Sequence, residues 1–147
     1  MRLKKVPAKR VRKVVAKASA VNSFFKLSGD VGGSTDFFVE PGATRKLQTI
    51  TLSLPANSKL VVNRARFFFN DPEIFFRVSV LDLDIVEFRH WLAPTSAGDV
   101  PANVTLLTTT RPRTIYLAIA GTNVRTTGRS LLNPWDGWWV KFSVLPR

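Results

Sequence analysis

Several things are missing from this chain of 147 residues, and each absence closes a route. There is no cysteine, which excludes disulfides, thiolate metal sites and cysteine nucleophiles, so any fold must stand on packing alone. There is one histidine, so a zinc site of the usual kinds cannot be assembled from it. No Gly-x-Ser-x-Gly elbow occurs, and Gly29-Asp30-Val31-Gly32-Gly33 lacks the Lys-Ser/Thr of a phosphate-binding loop. No apolar run approaches the length of a membrane span. No acidic residue precedes Asp30.

That last absence points to what is present. Lys and Arg number 22 against 10 Asp and Glu, a net charge of +12. Eight of the cations lie in residues 1–21: Arg2, Lys4, Lys5, Lys9, Arg10, Arg12, Lys13 and Lys17. The remaining 14 basic residues face 10 acids, which leaves +4 for the rest of the chain. A terminal block of one sign is usually an interaction arm whose partner is a polyanion.

Addressing signals fit the arm less well. A secretory signal needs an apolar centre, and here Val14-Val15-Ala16 runs straight into Lys17. A mitochondrial presequence would be Arg-rich and acid-free, but Pro7 and the single Ser before Val21 weaken that reading. Val11, Val14, Val15 and Ala18 have helical spacing but are too small to anchor a membrane-surface helix. A solubilising tail is the bland alternative. The arm cations are therefore read as contacts to nucleic acid, made to backbone phosphate and without sequence specificity.

Residues 22–46 hold four of the eight glycines and Pro41, and read as a junction with one short strand near 36–40. From residue 47 to 147 the texture is β. Ile50, Leu52 and Leu54 alternate with Thr49, Thr51 and Ser53. Val61, Ala65, Phe67 and Phe69 share a parity, with Arg64, Arg66 and Phe68 on the other face. Ile74, Phe76, Val78 and Val80 follow in phase, and a bulge or turn is expected around Leu81–Asp84. Val86, Phe88, His90 and Leu92 run together, which places His90 in the core. Residues 93–102 read as a loop and 104–110 as a Thr-rich strand. Ile115, Leu117 and Ile119 point inward on the next strand, and residues 121–137 form a long excursion. The last strand, with Trp138, Val140, Phe142 and Val144 inward, is expected at the centre of a sheet.

Eight or nine short strands with one apolar face each require two packed sheets or a closed barrel. The all-β reading is a single jelly-roll-type sandwich of about eight antiparallel strands behind a basic arm. An immunoglobulin-like sandwich is the second choice, although the Cys pair of that fold is absent.

Catalytic chemistry is hard to place. Asp82, Asp84 and Glu87 suit a polar hairpin turn better than a calcium or acid–base site. No catalytic residue, metal ligand or cofactor is assigned, and the chain reads as no enzyme. Aromatics say more: eleven Phe and four Trp, often in adjacent pairs that send one ring to each face. Phe68, Phe75, Trp91 and Trp139 are therefore candidates for contacts between copies of the chain. Arg64 and Arg66 with Phe68 form a second basic face suited to nucleobase stacking, which Arg77 extends. Trp135, Trp138 and Trp139 offer a sugar-stacking platform as a further reading.

An arm such as KKVPAKRVRKVVAK, a Gly-rich junction and one all-β domain resemble the coat proteins of small icosahedral viruses. The resemblance is architectural and covers the whole chain. It implies a jelly roll that tiles a shell, self-association, a virion location after assembly in a host cell, and an inward arm that neutralises packaged nucleic acid. It also extends to minor capsid and decoration proteins, for which other virion proteins are the partners. The alternatives are a nucleic-acid-binding β-barrel of ribosomal or chaperone type and a carbohydrate- or receptor-binding sandwich.

Overall fold

The computed structural model describes residues 21–33, 35–84, 86–94 and 99–147. In chain order the strands are β1 (Ser23–Asp30), β2 (Phe37–Val39), β3 (Thr44–Leu54), β4 (Ser58–Phe68) and β5 (Ile74–Leu81). They continue as β6 (Glu87–Pro94), β7 (Asp99–Thr108), β8 (Arg113–Asn123), β9 (Ser130–Leu132) and β10 (Gly137–Pro146).

Alternation decides which side of each strand is buried. Ile50, Leu52 and Leu54 of β3 are buried, as are Ile115, Leu117 and Ile119 of β8 and Trp138, Val140, Phe142 and Val144 of β10. On β4, Ala65 and Phe67 point in while Arg64, Arg66 and Phe68 are exposed. Upstream the phase reverses. Val62 pairs with Phe142 and Arg64 with Lys141, so Asn63 is the extra residue of a bulge. Leu60 and Val62 are therefore the inward pair there, and Val61 does not share a face with Ala65 as expected.

Two four-stranded antiparallel sheets result, ordered β1-β10-β4-β7 and β3-β8-β5-β6, with a small β2-β9 ribbon between connections. Every connection among the eight main strands crosses from one sheet to the other, except the β5–β6 hairpin. This is the two-sheet order of a jelly roll, and the expected fold class is borne out. The closed-barrel alternative falls because the sheets remain separate. The last strand is central, as expected, between β1 and β4.

Several readings need correction. Residues 22–46 hold more than one short strand: β1 pairs with β10 over eight residues, β2 follows, and β3 starts at Thr44. Residues 99–102 belong to β7, an edge strand, where Pro101 is tolerated because one side of the ladder needs no donor. The excursion 121–137 contains β9.

His90 is not in the core. It pairs with Ser79 on β5, while its neighbour Trp91 pairs with the buried Val78. The register with β5 sends Trp91 and Ala93 inward and leaves His90 exposed on the outer face. β6 carries apolar residues at both parities, so its own pattern does not settle the phase; its partner does.

The core is aromatic at one end. Phe76 lies 4.5 Å from Phe67, 6.2 Å from Trp138 and 6.4 Å from Trp91, ring centroid to centroid. Phe25 of β1 stacks on Phe142 at 4.9 Å, which docks the first strand. Each fully buried ring contributes about 1.5–3 kcal/mol. Gly29 explains the close approach of β1 to Trp138, since a Cβ there would lie 3.1 Å from the indole Cζ2.

Strand registers separate two ends. At one, the loops at 31–43, 69–73 and 124–136 meet. At the other, the chain enters at Asn22, whose N–H donates to the Val144 carbonyl. The Ser58–Thr109 pair closes that end: Thr109 N–H donates to the Ser58 carbonyl at 2.8 Å, and Thr109 Oγ1 donates to the Pro55 carbonyl at 2.7 Å.

Candidate nucleic-acid interface

β10 reads Gly-Trp-Trp-Val-Lys-Phe-Ser-Val, so every second side chain leaves the core. Its outward-pointing residues are Trp139, Lys141 and Ser143, of which Lys141 is exposed, Trp139 half-buried and Ser143 buried and bonded by Asn63. The register sets neighbours beside them. Lys141 stands opposite Lys26 of β1 on one side and opposite Arg64 of β4 on the other. Three cations thus occupy one rung across three adjacent strands, about 5 Å apart at the backbone. On the next rung Ser28, Trp139, Arg66 and Asp99 stand side by side. The rung after that holds Asp30, Gly137 and Phe68.

Like charges placed directly opposite on neighbouring strands repel. The face offsets part of this locally. Arg64 Nη1 bonds the Asp99 carboxylate at 2.9 Å. The Lys26 and Lys141 ammoniums lie 5.7 Å and 5.3 Å from the centroid of the same Trp139 ring, and Arg66 lies 5.1 Å from that of Phe68. These are cation–π contacts. Among the described residues, Lys26, Lys141 and Arg66 make no ion pair with a carboxylate.

The second basic face read from Arg64, Arg66 and Phe68 is therefore one surface in the structure. Trp139 joins it, and so do Lys26 and Lys141, which strand alternation alone did not bring there. Lys141 was legible as an outward residue of the last strand; Lys26 was hidden in what reads as a junction. Arg77 does not extend the surface, because β5 lies in the other sheet. The arm cations Arg2, Lys4, Lys5, Lys9, Arg10, Arg12, Lys13 and Lys17 lie outside the described residues.

The remaining candidates separate. Phe68 is 52% exposed. Phe75 and Trp139 are half-buried, and Trp91 packs edge-on against Phe76 at the core, so it is not the outward ring that adjacent-pair reasoning expects. Among the described residues the most exposed aromatics are Phe24 and Trp135, each at 69%, and Phe38 at 59%. Trp138 and Trp139 point to opposite faces and Trp135 sits in a loop, so the three indoles do not make one sugar platform.

On the opposite sheet, Arg77 binds Glu87 at 2.5 Å and His90 Nδ1 lies 3.3 Å from the same carboxylate. Burial pushes the Glu87 carboxyl up, but hydrogen bonds from Ser79 and Arg77 and the charges of Arg77 and His90 outweigh this and hold it below the usual range. Asp82 accepts the N–H groups of Asp84 and Val86 at 2.9 Å and 3.0 Å, which is turn-holding. Among the described residues no group of three or more His, Asp or Glu gathers as a metal site.

Asp136 organises the loop end. It is fully buried. Its carboxylate accepts the Asn133 N–H at 2.9 Å and the Asn70 N–H at 3.3 Å. Burial raises its pKa; the two N–H groups offset part of this, and the charges of Asp36 and Asp71 add to it.

No protein-family model matches the sequence, and no curated protein matches it. Solved structures do. A chain of the infectious bursal disease virus structure, Gx strain, is similar with a TM-score of 0.50 and 14% identity, covering 87% of this chain and 33% of that one. The VP2 subviral particle of infectious bursal disease virus gives a TM-score of 0.48 and 11% identity, covering 86% and 34%. This chain thus spans about a third of the length of the chains it resembles. The first likeness shows a shared fold, in agreement with the jelly-roll strand order.

Proposed function

We propose that this chain is a structural virion protein: a jelly-roll capsid component that associates with copies of itself and contacts packaged nucleic acid through its basic arm. The observation that carries the reading is a jelly-roll strand order in a chain whose charge is concentrated in its first 21 residues, ahead of the first strand. The fold shared with a viral particle chain supports it. So do Phe24, Phe38 and Trp135, which are more exposed than rings of a monomer usually are. Each ring covered by a neighbouring copy would contribute on the order of 1–3 kcal/mol to cohesion. The role is structural and not catalytic, and its place is the virion, assembled inside a host cell.

Charge makes the assembly conditional. At +12 per copy, subunits repel one another until a polyanion neutralises them. Sedimentation velocity and negative-stain imaging of the purified full chain, with and without nucleic acid across a salt series, test this. Closed particles or defined oligomers are expected at low salt with nucleic acid. A monomer under every condition would remove the reading.

A further inference from the structure

We infer that the outer face of the β1-β10-β4-β7 sheet is a second, folded nucleic-acid site, which takes single-stranded nucleic acid with its phosphates along the Lys26–Lys141–Arg64 rung and its bases on Trp139 and Phe68. The inference rests on the proposed nucleic-acid role and adds to it a surface, a ligand class and an orientation of the subunit.

Three features of the face select the ligand. The first is the rung itself. Lys26, Lys141 and Arg64 stand opposite one another on adjacent strands, an arrangement that costs stability in the free protein. Arg64 has Asp99 as its partner; among the described residues, Lys26 and Lys141 have only a shared indole. A row of cations about 5 Å apart matches a polymer with a charge every few ångströms, and phosphate laid along it turns the repulsion into attraction.

The second is the pair of rings. Trp139 and Phe68 stand on the same face, one and two rungs from the cations. A sheet face with aromatics between cations is how unpaired bases are held, because every base has a π-face to stack. Paired bases in a duplex offer no such face, so the ligand is single-stranded.

The third is continuity with the arm. Lys17 precedes Lys26 by nine residues in the chain. Lys26 sits on the edge strand through which the chain enters the sandwich. Nucleic acid held near Lys17 is therefore tethered within nine residues of this rung. On the opposite sheet the matching rung is Lys46, Ala120 and Arg77, so two cations are held apart by an alanine and Arg77 is already neutralised by Glu87.

The test uses the full chain. A fluorescein-labelled single-stranded oligothymidylate of about 20 nucleotides is titrated across a salt series against three proteins. These are the wild type, Lys26→Gln/Arg64→Gln/Lys141→Gln, and an arm variant with Lys9, Arg10, Arg12 and Lys13 changed to Gln. Each phosphate contact to a single strand contributes about 0.7 to the log–log salt slope, so the face variant should lose about 2 from it. Trp139→Leu should weaken binding roughly 10-fold for the single strand and leave binding of heparin, which has no bases, unchanged. A thermal melt shows that each variant folds.

An unchanged slope in the face variant, with a reduced slope in the arm variant, overturns the face and leaves the arm reading standing. No binding by the wild type overturns both. Equal binding of a duplex of the same length, with Trp139→Leu without effect, overturns the single-strand assignment. A change in sedimentation of the face variant without nucleic acid would assign the face to a second copy of the chain instead.

Discussion

Asp136→Ala should cost the fold about 2 kcal/mol at neutral pH. The carboxylate holds two backbone N–H groups from different parts of the chain, those of Asn133 and Asn70. Asn133 is buried, so its N–H finds no water when the carboxylate goes, and an unpaired buried donor costs about 1–3 kcal/mol. Asn70 is exposed, and water recovers most of that bond. Removing the carboxylate also relieves the burial that raises its pKa, which offsets part of the loss. For a domain of this size about 2 kcal/mol lowers the melting temperature by roughly 6–10 °C.

The pH dependence carries a sign that most carboxylates do not share. A folded pKa above the unfolded one means the folded state binds more protons between the two values. Ionised Asp136 therefore supports the fold less well than its protonated form, and stability is gained as pH falls through the folded value towards the unfolded one. Asp136→Asn removes the titration but aims an amide N–H₂ at a backbone N–H. Urea unfolding of both proteins from pH 7 to pH 4 isolates the effect, because all other carboxylates are common to the pair. The wild type should gain on the variant as pH falls. A gap that narrows on acidification, or an alanine variant within about 0.5 kcal/mol of wild type at pH 7, refutes the reasoning.

Gly121→Ala places a Cβ 2.9 Å from Ile74 Cγ2 in a closed part of the core, and overpacking of this kind should cost about 1–3 kcal/mol by urea unfolding. Glu87 behaves opposite to Asp136. Its lowered pKa contributes stability that is present above the unfolded value and lost as pH falls through the folded one. The wild type should exceed Glu87→Gln by less than about 1 kcal/mol at pH 7, and the gap should close below about pH 4. Lys141→Gln should stabilise the free protein by about 0.2–1 kcal/mol, since it removes the middle charge of a like-charged row.

Much of the fold was legible because alternation reports burial without knowledge of the partner strand. β3, β8 and β10 show it, and so does β4 beyond its bulge, with the apolar parity buried as read. What alternation does not carry is pairing. β6 has apolar residues at both parities, and only its register with Val78 and Ser79 puts Trp91 in and His90 out. β1 mixes adjacent phenylalanines with Gly29 and reads as a linker. It becomes a strand because Phe25 finds Phe142, more than a hundred residues away. Asp136 lies in what reads as an excursion, and its partner Asn70 belongs to a distant loop. The basic face was half legible: Arg64, Arg66 and Phe68 share one strand, but the rung with Lys26 and Lys141 exists only in three dimensions.

One strand carries both proposed roles without conflict. On β10 the inward set Trp138, Val140 and Phe142 is committed to the core, and the outward set Trp139 and Lys141 meets solvent. A pleated strand keeps the two sets on opposite sides, so the outward one is free to change without cavities forming behind it. Changes at Lys26, Lys141 and Arg66 should therefore move nucleic-acid affinity while stability holds or rises. Phe142→Ala should do the reverse. It removes a fully buried ring and the platform for Phe25, costs about 3–5 kcal/mol, and loosens the strand that ties the arm to the sandwich. If the inward and outward changes on this strand instead gave the same pattern of losses, the arm, the face and the core would be one cooperative unit, and charge and cohesion would not be separable tasks in this protein.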